Sequence, residues 1–189
     1  MYTFDAIILE KNILREKQIR IVVLTKEYGK ITLWHKKHIT GVDIGDIARV
    51  VVRRENSMNY IKSIDTKLYL IHKKWNYNSL FSFLSLIKTL RFCVASEESS
   101  SQIFSDYERV LRIMGDSISL DCCQLLQMRI FKHLGSLNPD FFQEDAVLQY
   151  MYQKITETPL ERILKAQPLQ SHHKEIIEKS NLFSLSTFL

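Results

Sequence analysis

Cysteine, glycine and proline are all scarce in this sequence: its 189 residues include three Cys, five Gly and three Pro. So few glycines exclude a collagen-like or glycine-rich low-complexity chain. They also form neither of the loops that cradle phosphates, GxGxxG and GxxxxGK. The cysteines, Cys93 and the adjacent Cys122 and Cys123, fit neither a disulfide framework nor a zinc pattern. We therefore expect buried thiols in a protein of the reducing cytoplasm.

Long apolar runs and targeting signals are also missing. The most apolar stretch, residues 80–94, is interrupted by Lys88 and Arg91, so it falls short of the ~20 apolar residues that a membrane span needs. Residues 1–9 include Asp5 and carry no basic leader, which does not indicate a secretory signal. We expect neither a membrane span nor a leader.

Motifs of catalysis are equally sparse. No serine lies in a GxSxG motif. Acidic pairs such as Asp43 and Asp46 fall in predicted turns or first helical turns, which carboxylates favour for structural reasons. His172 and His173 diverge by about 100° if they lie on a helix, so we favour a solvated helix start over a metal site. The sequence predicts a protein that is not an enzyme and has no cofactor or metal.

The charge is unevenly distributed along the chain. The net charge is +5, from 26 Lys and Arg against 21 Asp and Glu. Residues 1–75 hold 15 basic against 8 acidic residues, a net of +7, whereas residues 76–189 hold 11 against 13, a net of −2. This asymmetry indicates a basic module that binds a polyanion, followed by a nearly neutral one.

The periodicity of the apolar residues changes once. Up to about residue 65 they form short runs rich in Ile and Val, bounded by polar or glycine-containing turns such as the one at Gly29. Five strands are too few for a two-sheet sandwich and favour a small closed barrel. The predicted strands are residues 3–11, 18–25, 31–37, 47–54 and 60–65.

Beyond residue 76 the pattern is helical. The first predicted helix is apolar nearly all round, which indicates a helix at the centre of its bundle. Gly115 and Gly135 are placed to end the second and third helices. The fold class is therefore predicted as α+β, with a barrel domain at residues 1–75 and an all-helical domain at residues 76–189. The predicted helices are residues 80–94, 103–114, 120–134, 142–155 and 172–179, and a capping box at residues 158–161 predicts one further helix start.

Strand alternation places several cations and one aromatic side chain on a single surface of the barrel. Arg20, Trp34, Lys36, Arg49 and Arg53 all oppose the Ile, Val and Ala residues that face inward. Cations can follow phosphates while ring faces stack on bases, so this surface suits single-stranded nucleic acid. The alternative is that Trp34 fills the end of the barrel or packs on the helical domain, and that its charged neighbours are simply solvated.

Several segments resemble a known family. The opening strand DAIIL at residues 5–9 and the hairpin IVVLTKEYGKI at residues 21–31, followed by a basic loop, resemble the N-terminal OB domain of the bacterial recombination mediator RecO. The end of the chain, with STFL at residues 186–189, is similar to the terminus that follows the last helix of that family. The resemblance implies a five-stranded OB-fold barrel followed by a helical domain.

The resemblance also implies a function. Members of the family bind single- and double-stranded DNA, anneal complementary strands, and contact the C-terminal tail of single-stranded DNA-binding protein. With RecR they help RecA load at gaps in DNA repair, as cytoplasmic proteins associated with the nucleoid. Two alternatives stay open, a general RNA-binding OB protein and a protein-interaction scaffold.

Two sets of residues follow from the charge pattern and the resemblance together. The DNA face is expected to use mainly phosphate contacts, with little sequence preference. The tail of single-stranded DNA-binding protein, which is acidic with an apolar end, needs an apolar pocket rimmed by cations, although exposed helical Arg is also common without a partner. The predicted DNA-binding residues are Arg20, Lys30, Trp34, Lys36, Lys37, Arg49, Arg53 and Arg54, and the predicted protein-binding residues are Arg109, Arg112, Arg129 and Lys132.

The sequence departs from the family in two places. Many members carry a four-cysteine zinc module in the helical domain, but here Gly135 leads almost directly to Asn138 and Pro139 with no Cys-x-x-Cys motif. We therefore expect a shortened helical domain without zinc. The family's glycine in the basic loop is replaced by Lys37 and His38.

Overall fold

The chain forms a barrel followed by helices. Within the described residues, five strands come first and five α-helices follow. The predicted class, α+β with an N-terminal barrel, is confirmed. The computed structural model describes residues 1–14, 18–36, 39–70, 76–95, 100–113, 120–160, 162–163 and 169–188.

The five strands close into a barrel in the order β1-β2-β3-β5-β4. All neighbouring pairs are antiparallel except β3 with β5, which are parallel. This is a five-stranded Greek-key barrel of the OB type. The strands are β1 (Tyr2–Ile13), β2 (Ile19–Thr25), β3 (Gly29–His35), β4 (Ile47–Glu55) and β5 (Met58–Leu68).

Alternate residues of each strand fill the barrel. Ile19, Ile21 and Val23 point inward, as predicted, and pack with Leu33 and the other buried apolar residues of the interior. The turn between β2 and β3 needs a left-handed residue, and Gly29 supplies it with a φ of +63°. In β2 and β3, period-two alternation is therefore sufficient to separate the inner from the outer face.

A β-bulge in β1 changes which residues face outward. Before the bulge Ile8 points into the barrel; after one extra residue Glu10 lies on the outer face. Lys11 then points towards the end of the barrel. Its Nζ donates to the carbonyl oxygens of Ile39 at 3.2 Å and Val42 at 2.8 Å.

Capping groups determine where some of the helices begin and end. α4 begins at Ala146, later than predicted, because the Asp145 side chain accepts hydrogen bonds from the amides of Val147 and Leu148. No helix among the described residues has the length and apolar character needed to cross a membrane. The helices are α1 (Tyr77–Cys93), α2 (Ser101–Ile113), α3 (Leu120–His133), α4 (Ala146–Lys154) and α5 (Ser171–Ser186), with a separate 3₁₀ turn at Pro139–Phe142.

Gly135 ends α3, as predicted. Its φ is +70°, its amide donates to the Lys132 carbonyl at 3.1 Å, and the amide of Ser136 donates to the Phe131 carbonyl at 2.9 Å. These two bonds form the Schellman motif, which needs a left-handed residue at that position. Gly115 lies outside the described residues.

α1 is not buried on all sides, so the prediction of a central helix is wrong. Ser79, Ser82 and Thr89 are buried, whereas Phe81 and Leu84 are 57% and 48% exposed. The helix therefore buries Phe83, Leu86 and Leu90 together with these small polar residues, and it turns part of its apolar surface towards solvent. The apolar content of the helix alone does not reveal which side is buried, because that depends on the side chains of the elements that pack against it.

The chain divides into two compact units, each made of two separate segments of the sequence. One unit comprises Met1–Lys73 with Val94–Glu108, and the other comprises Lys74–Cys93 with Arg109–Leu189. The predicted boundary at residue 75 follows the change from strands to helices, but residues 94–108 belong with the barrel. We call the two parts the barrel unit and the helical unit.

Two hydrogen bonds within the barrel unit explain why the start of α2 belongs to it. Ser100 Oγ donates to the Thr25 carbonyl at 2.9 Å, and the Tyr107 hydroxyl donates to the Gly45 carbonyl at 2.7 Å. Ile7 lies on the outer side of β1 and is nevertheless fully buried. The start of α2 thus covers an apolar part of the outer barrel surface.

We expect Tyr107→Phe to lower the free energy of unfolding by about 1–2 kcal/mol, because it leaves the buried Gly45 carbonyl without this donor. Urea unfolding followed by circular dichroism measures the change. Tyr150→Phe, which alters an exposed tyrosine of α4, is the matched control and should stay within about 0.5 kcal/mol of wild type. Equal effects of the two substitutions would contradict the anchoring role of Tyr107.

Candidate nucleic-acid interface

Four residues from four strands form one line across the outer face of the barrel. Arg20 lies opposite Trp34, Trp34 lies beside Tyr60, and Tyr60 lies opposite Arg53 in the strand register. All four face outward, because their neighbours along the strands fill the interior. With strands about 4.8 Å apart, the line is about 15 Å long. We call Arg20, Trp34, Tyr60 and Arg53 the outer row.

Lys36 adds a further cation to the outer row. It is exposed, two residues beyond Trp34 on the same side of the chain, and its Nζ lies 5.9 Å from the centre of the Tyr60 ring. An ammonium group over a ring face is attracted by the electron density of that ring. The result is a surface with two aromatic side chains between two arginines and with a lysine beside them.

Carboxylates accompany both arginines of the outer row. Arg20 Nη1 lies 4.0 Å from Glu10 Oε1, and Arg53 Nε lies 2.8 Å from Glu55 Oε1. Glu10 is buried, whereas the pair of Arg53 with Glu55 is exposed, and exposed ion pairs contribute only about 0–1 kcal/mol. Arg53, whose side chain is 58% exposed, can therefore exchange Glu55 for a phosphate at small cost.

Arg49 lies on the same outer side of β4 as Arg53 but belongs to a separate cluster. Its Nε is 3.2 Å from Asp5 Oδ1, and Lys67 Nζ is 2.5 Å from Asp5 Oδ2. Burial raises the pKa of Asp5, but the hydrogen bonds from Lys67 and Arg49 outweigh it and leave that pKa below its ordinary value. Four residues along the strand separate Arg49 from Arg53 by about 13 Å. Arg49 is thus not part of the outer row.

The other predicted DNA-binding residues are dispersed. Lys30 is half-buried on the outer face of β3, and Lys37 lies outside the described residues. Arg54 lines an open cleft of about 490 Å³ at the end of the barrel. The remaining residues that line this cleft are Tyr2, Glu27, Tyr28, Ile31, Ser57 and Asn59.

The four predicted protein-binding residues have different environments. Arg109 and Arg112 are exposed on α2. Arg129 is 4% exposed, and its guanidinium donates to the carbonyl oxygens of Ile155 at 2.6 Å and of Thr158, just beyond the end of α4. A buried group that satisfies helix-end carbonyls cannot rim a surface pocket.

Lys132 lies beside an apolar cleft. Its Nζ donates to the Tyr152 carbonyl and lies 4.1 Å from the centre of the Tyr152 ring. Partial desolvation lowers the pKa of Lys132, and Glu157 opposes this effect. The cleft measures about 220 Å³, and the rings of Phe142 and Tyr152 are stacked in it with their centres 5.4 Å apart. The other residues that line it are Pro139, Gln143, Gln149 and Gln153.

Asp145, His172 and His173 are the group of side chains that comes nearest to a metal site in the described part of the chain. The Nε2 atoms of His172 and His173 lie 3.4 and 3.2 Å from Asp145 Oδ2. However, the Gln170 amide donates to His173 Nδ1 at 3.3 Å, so neutral His173 carries its proton on Nε2 and donates it to Asp145. We interpret the group as a hydrogen-bonded link between α5 and the start of α4.

Cys123, one of the three cysteines, is not an activated nucleophile. All three are buried thiols, as expected. Burial, and to a lesser extent the neighbouring Cys122, raises the pKa of Cys123 to about 12. The nucleophilic form of cysteine is the thiolate, which this pKa suppresses at neutral pH.

The charge of Asp145 should make stability depend on pH. Hydrogen bonds from the Leu148 and Val147 amides outweigh burial and hold the pKa of Asp145 below its ordinary value, and His172 and His173 lower it further. A carboxylate with a lowered pKa stabilises the fold above its ordinary pKa, and this contribution is lost as the pH falls through the lowered value.

We expect Asp145→Asn, which keeps a capping side chain, to reduce the free energy of unfolding by about 0.3–1 kcal/mol at pH 6. The difference from wild type should shrink as the pH falls from about 5 to about 2. Urea unfolding at several pH values measures it, with the exposed Glu144→Gln as control. A difference that is constant across this range would contradict the role of the charge.

The surface chemistry of the two units is the basis for a proposal of function. No protein-family model matches the chain, and no curated protein matches it either. The resemblance to RecO therefore stays a prediction from short stretches of sequence. The outer row, with two aromatic rings between cations, is the arrangement of side chains that most directly indicates a ligand.

Proposed function

We propose that this protein is a non-enzymatic DNA-binding recombination mediator of the RecO type, whose outer row binds DNA. One observation carries the proposal: Trp34 and Tyr60 lie side by side between Arg20 and Arg53 on an outward-facing surface, with Lys36 over the Tyr60 ring. The net charge of +7 over residues 1–75 supports it, because the excess positive charge belongs to the same part of the chain.

In the proposed mode of binding, the cationic and the aromatic side chains contact different parts of the DNA. Arg20, Lys36 and Arg53 neutralise phosphates, which gives affinity without sequence preference. Trp34 and Tyr60 stack on unpaired bases, each for about 1–3 kcal/mol. Bases in a duplex are not available for stacking, so single-stranded DNA should bind more tightly than double-stranded DNA, which uses the cations alone.

Strand annealing follows from the same chemistry. Two complementary strands repel each other through their phosphates, and a protein that neutralises phosphates lowers that repulsion. The family role adds that the protein acts with RecR to help RecA load on DNA coated by single-stranded DNA-binding protein. A cytoplasmic, nucleoid-associated protein of DNA repair is the corresponding cellular proposal.

We expect alanine at Trp34 or Tyr60 to weaken binding of a fluorescent single-stranded oligonucleotide about 5- to 150-fold, because each ring loses a stacked base. Double-stranded DNA should be much less affected. A Lys36→Glu, Arg53→Glu variant should weaken both. For each phosphate that the variant no longer neutralises, the slope of log affinity against log salt should become shallower by about 0.7 with single strands and by about 0.9 with duplex DNA. Fluorescence anisotropy across a salt series measures all of these.

Tyr150→Ala and Lys179→Glu are the matched controls, since both alter exposed residues of the helical unit. Unchanged affinity and salt dependence in folded outer-row variants would contradict the proposal. Tighter binding to RNA of the same sequence would favour a general RNA-binding protein instead. No binding to either nucleic acid would favour a protein-interaction scaffold.

We propose in addition that the cleft beside Lys132 receives the C-terminal tail of single-stranded DNA-binding protein. The tail is acidic with an apolar end, and this cleft combines the stacked rings of Phe142 and Tyr152 with the ammonium of Lys132. Arg109 and Arg112 are exposed cations of the same unit, but neither lines this cleft. Arg129 is left out, because its guanidinium is buried.

We expect the Lys132→Met variant to bind this tail peptide at least about tenfold more weakly than wild type, because a charge-assisted hydrogen bond contributes about 1.5–3 kcal/mol. Lys154→Met, which removes an exposed lysine of α4, is the control and should have little effect. Titration of a fluorescent tail peptide measures both. Equal affinities of the two variants would exclude Lys132 from the tail site without affecting the DNA proposal.

A further inference from the structure

The inner side of the strands continues past the apolar core and opens at one end of the barrel. Tyr2 and Ile31 are partly buried there and pack against the core. Asn59, which lies beside the buried Leu33, and Arg54, which lies opposite Asn59, belong to the same inner side. Except for Leu33, these residues line the open cleft of about 490 Å³, which we call the mouth cleft.

Two supported tyrosine rings line the mouth cleft. The Tyr28 ring is 48% exposed and meets the buried Phe4 ring edge-on, with the ring centres 5.9 Å apart. The Tyr2 ring stacks on Phe4 with a centre distance of 6.0 Å, and its hydroxyl donates to Asn59 Oδ1. A half-exposed ring that its neighbours hold in place is suited to stack on another flat, aromatic group.

The formal charges of the mouth cleft are one cation and one carboxylate. Arg54 and Glu27 both line it and are exposed. Within the described residues, the Arg54 guanidinium has no hydrogen bond or ion pair. A guanidinium binds phosphate oxygens, whereas a carboxylate accepts hydrogen bonds from N–H groups and repels phosphate. The cleft is therefore unsuited to a bare polyanion and suits a group that joins one phosphate to a flat ring with N–H donors.

The mouth cleft adjoins the outer row. Arg54 follows Arg53 along β4, and Asn59 precedes Tyr60 along β5, so each pair is separated by one strand residue, about 3.3 Å. Arg53 and Tyr60 face outward, whereas Arg54 and Asn59 belong to the inner side. A strand of DNA that lies on the outer row therefore reaches the cleft by passing over the β4–β5 end of the barrel.

We propose that the mouth cleft takes up one unpaired nucleotide of the single strand that lies on the outer row, an inference that rests on the proposed function. Tyr28 stacks on the base, Arg54 binds its phosphate, and Glu27 accepts a hydrogen bond from the base. The cleft volume lies within the range of about 300–1,000 Å³ that is typical of small-ligand sites. A duplex has no unpaired base to insert, so the cleft adds affinity for single strands alone.

The first test compares two substitutions of Tyr28. Tyr28→Leu keeps an apolar side chain against Phe4 but removes the ring, whereas Tyr28→Phe keeps the ring. We expect Tyr28→Leu to bind a fluorescent single-stranded oligonucleotide about 5- to 150-fold more weakly than wild type, the range for one lost stacked base. Tyr28→Phe should bind like wild type, and neither variant should change the affinity for duplex DNA. Tyr77→Leu, at an exposed tyrosine of α1, is the control.

The second test removes the cation of the mouth cleft. Arg54→Met should weaken single-strand binding several-fold and make the slope of log affinity against log salt shallower by about 0.7, because one phosphate contact is lost. Lys62→Met, which removes an exposed cation of β5 outside the cleft, is the matched control and should leave both quantities nearly unchanged. Both positions are exposed, so folding is not at risk in this comparison.

Three results would overturn the proposal. In the first, Tyr28→Leu and Arg54→Met bind single strands like wild type while Trp34→Ala binds them weakly; the outer row then binds DNA without the cleft, even if a free deoxynucleoside monophosphate occupies it. In the second, Tyr28→Phe loses as much affinity as Tyr28→Leu. In the third, Arg54→Met and Lys62→Met have equal effects. If the outer-row variants also bind like wild type, the proposed function fails and this inference fails with it.

Discussion

The parallel pairing of β3 with β5 is the contact on which both the core and the outer row depend. Only two register pairs describe it, Leu33 beside Asn59 and Trp34 beside Tyr60. It removes the free edges that two open strands would present. The same contact brings together two aromatic side chains that are distant in sequence. The pairing that closes the barrel therefore also assembles the outer row.

The sequence revealed which side of β2, β3 and β4 faces outward, because alternation is a local property of the chain. It did not reveal how far along a strand a residue lies from residues of another strand. Arg49 and Arg53 lie on the same outer side of β4. Arg49 nevertheless pairs with Asp5 of β1, whereas Arg53 lies beside Tyr60 of β5. Tyr60 itself was missed, since no local pattern encodes the register between β3 and β5.

The helical unit was predicted less well for a related reason. Helix positions follow from periodicity and from caps such as Asp145 and Gly135, and these can be found in the sequence. The direction in which a helix packs depends on partners that are far away in the chain. The buried Arg129 has the sequence context of a surface residue, and its guanidinium donates to the carbonyl groups of Ile155 and Thr158, which the sequence does not reveal.

The bulge in β1 has a consequence for the evolution of this barrel. Glu10 faces outward and Lys11 points to the end of the barrel because one extra residue precedes them. Deleting a residue there would reverse these directions and bring a carboxylate into an apolar interior. The length of this strand, as well as its composition, therefore determines which of its charged residues lies on the outer face. Single-residue deletions upstream of Glu10 should therefore be far rarer among descendants of this gene than substitutions at the same positions.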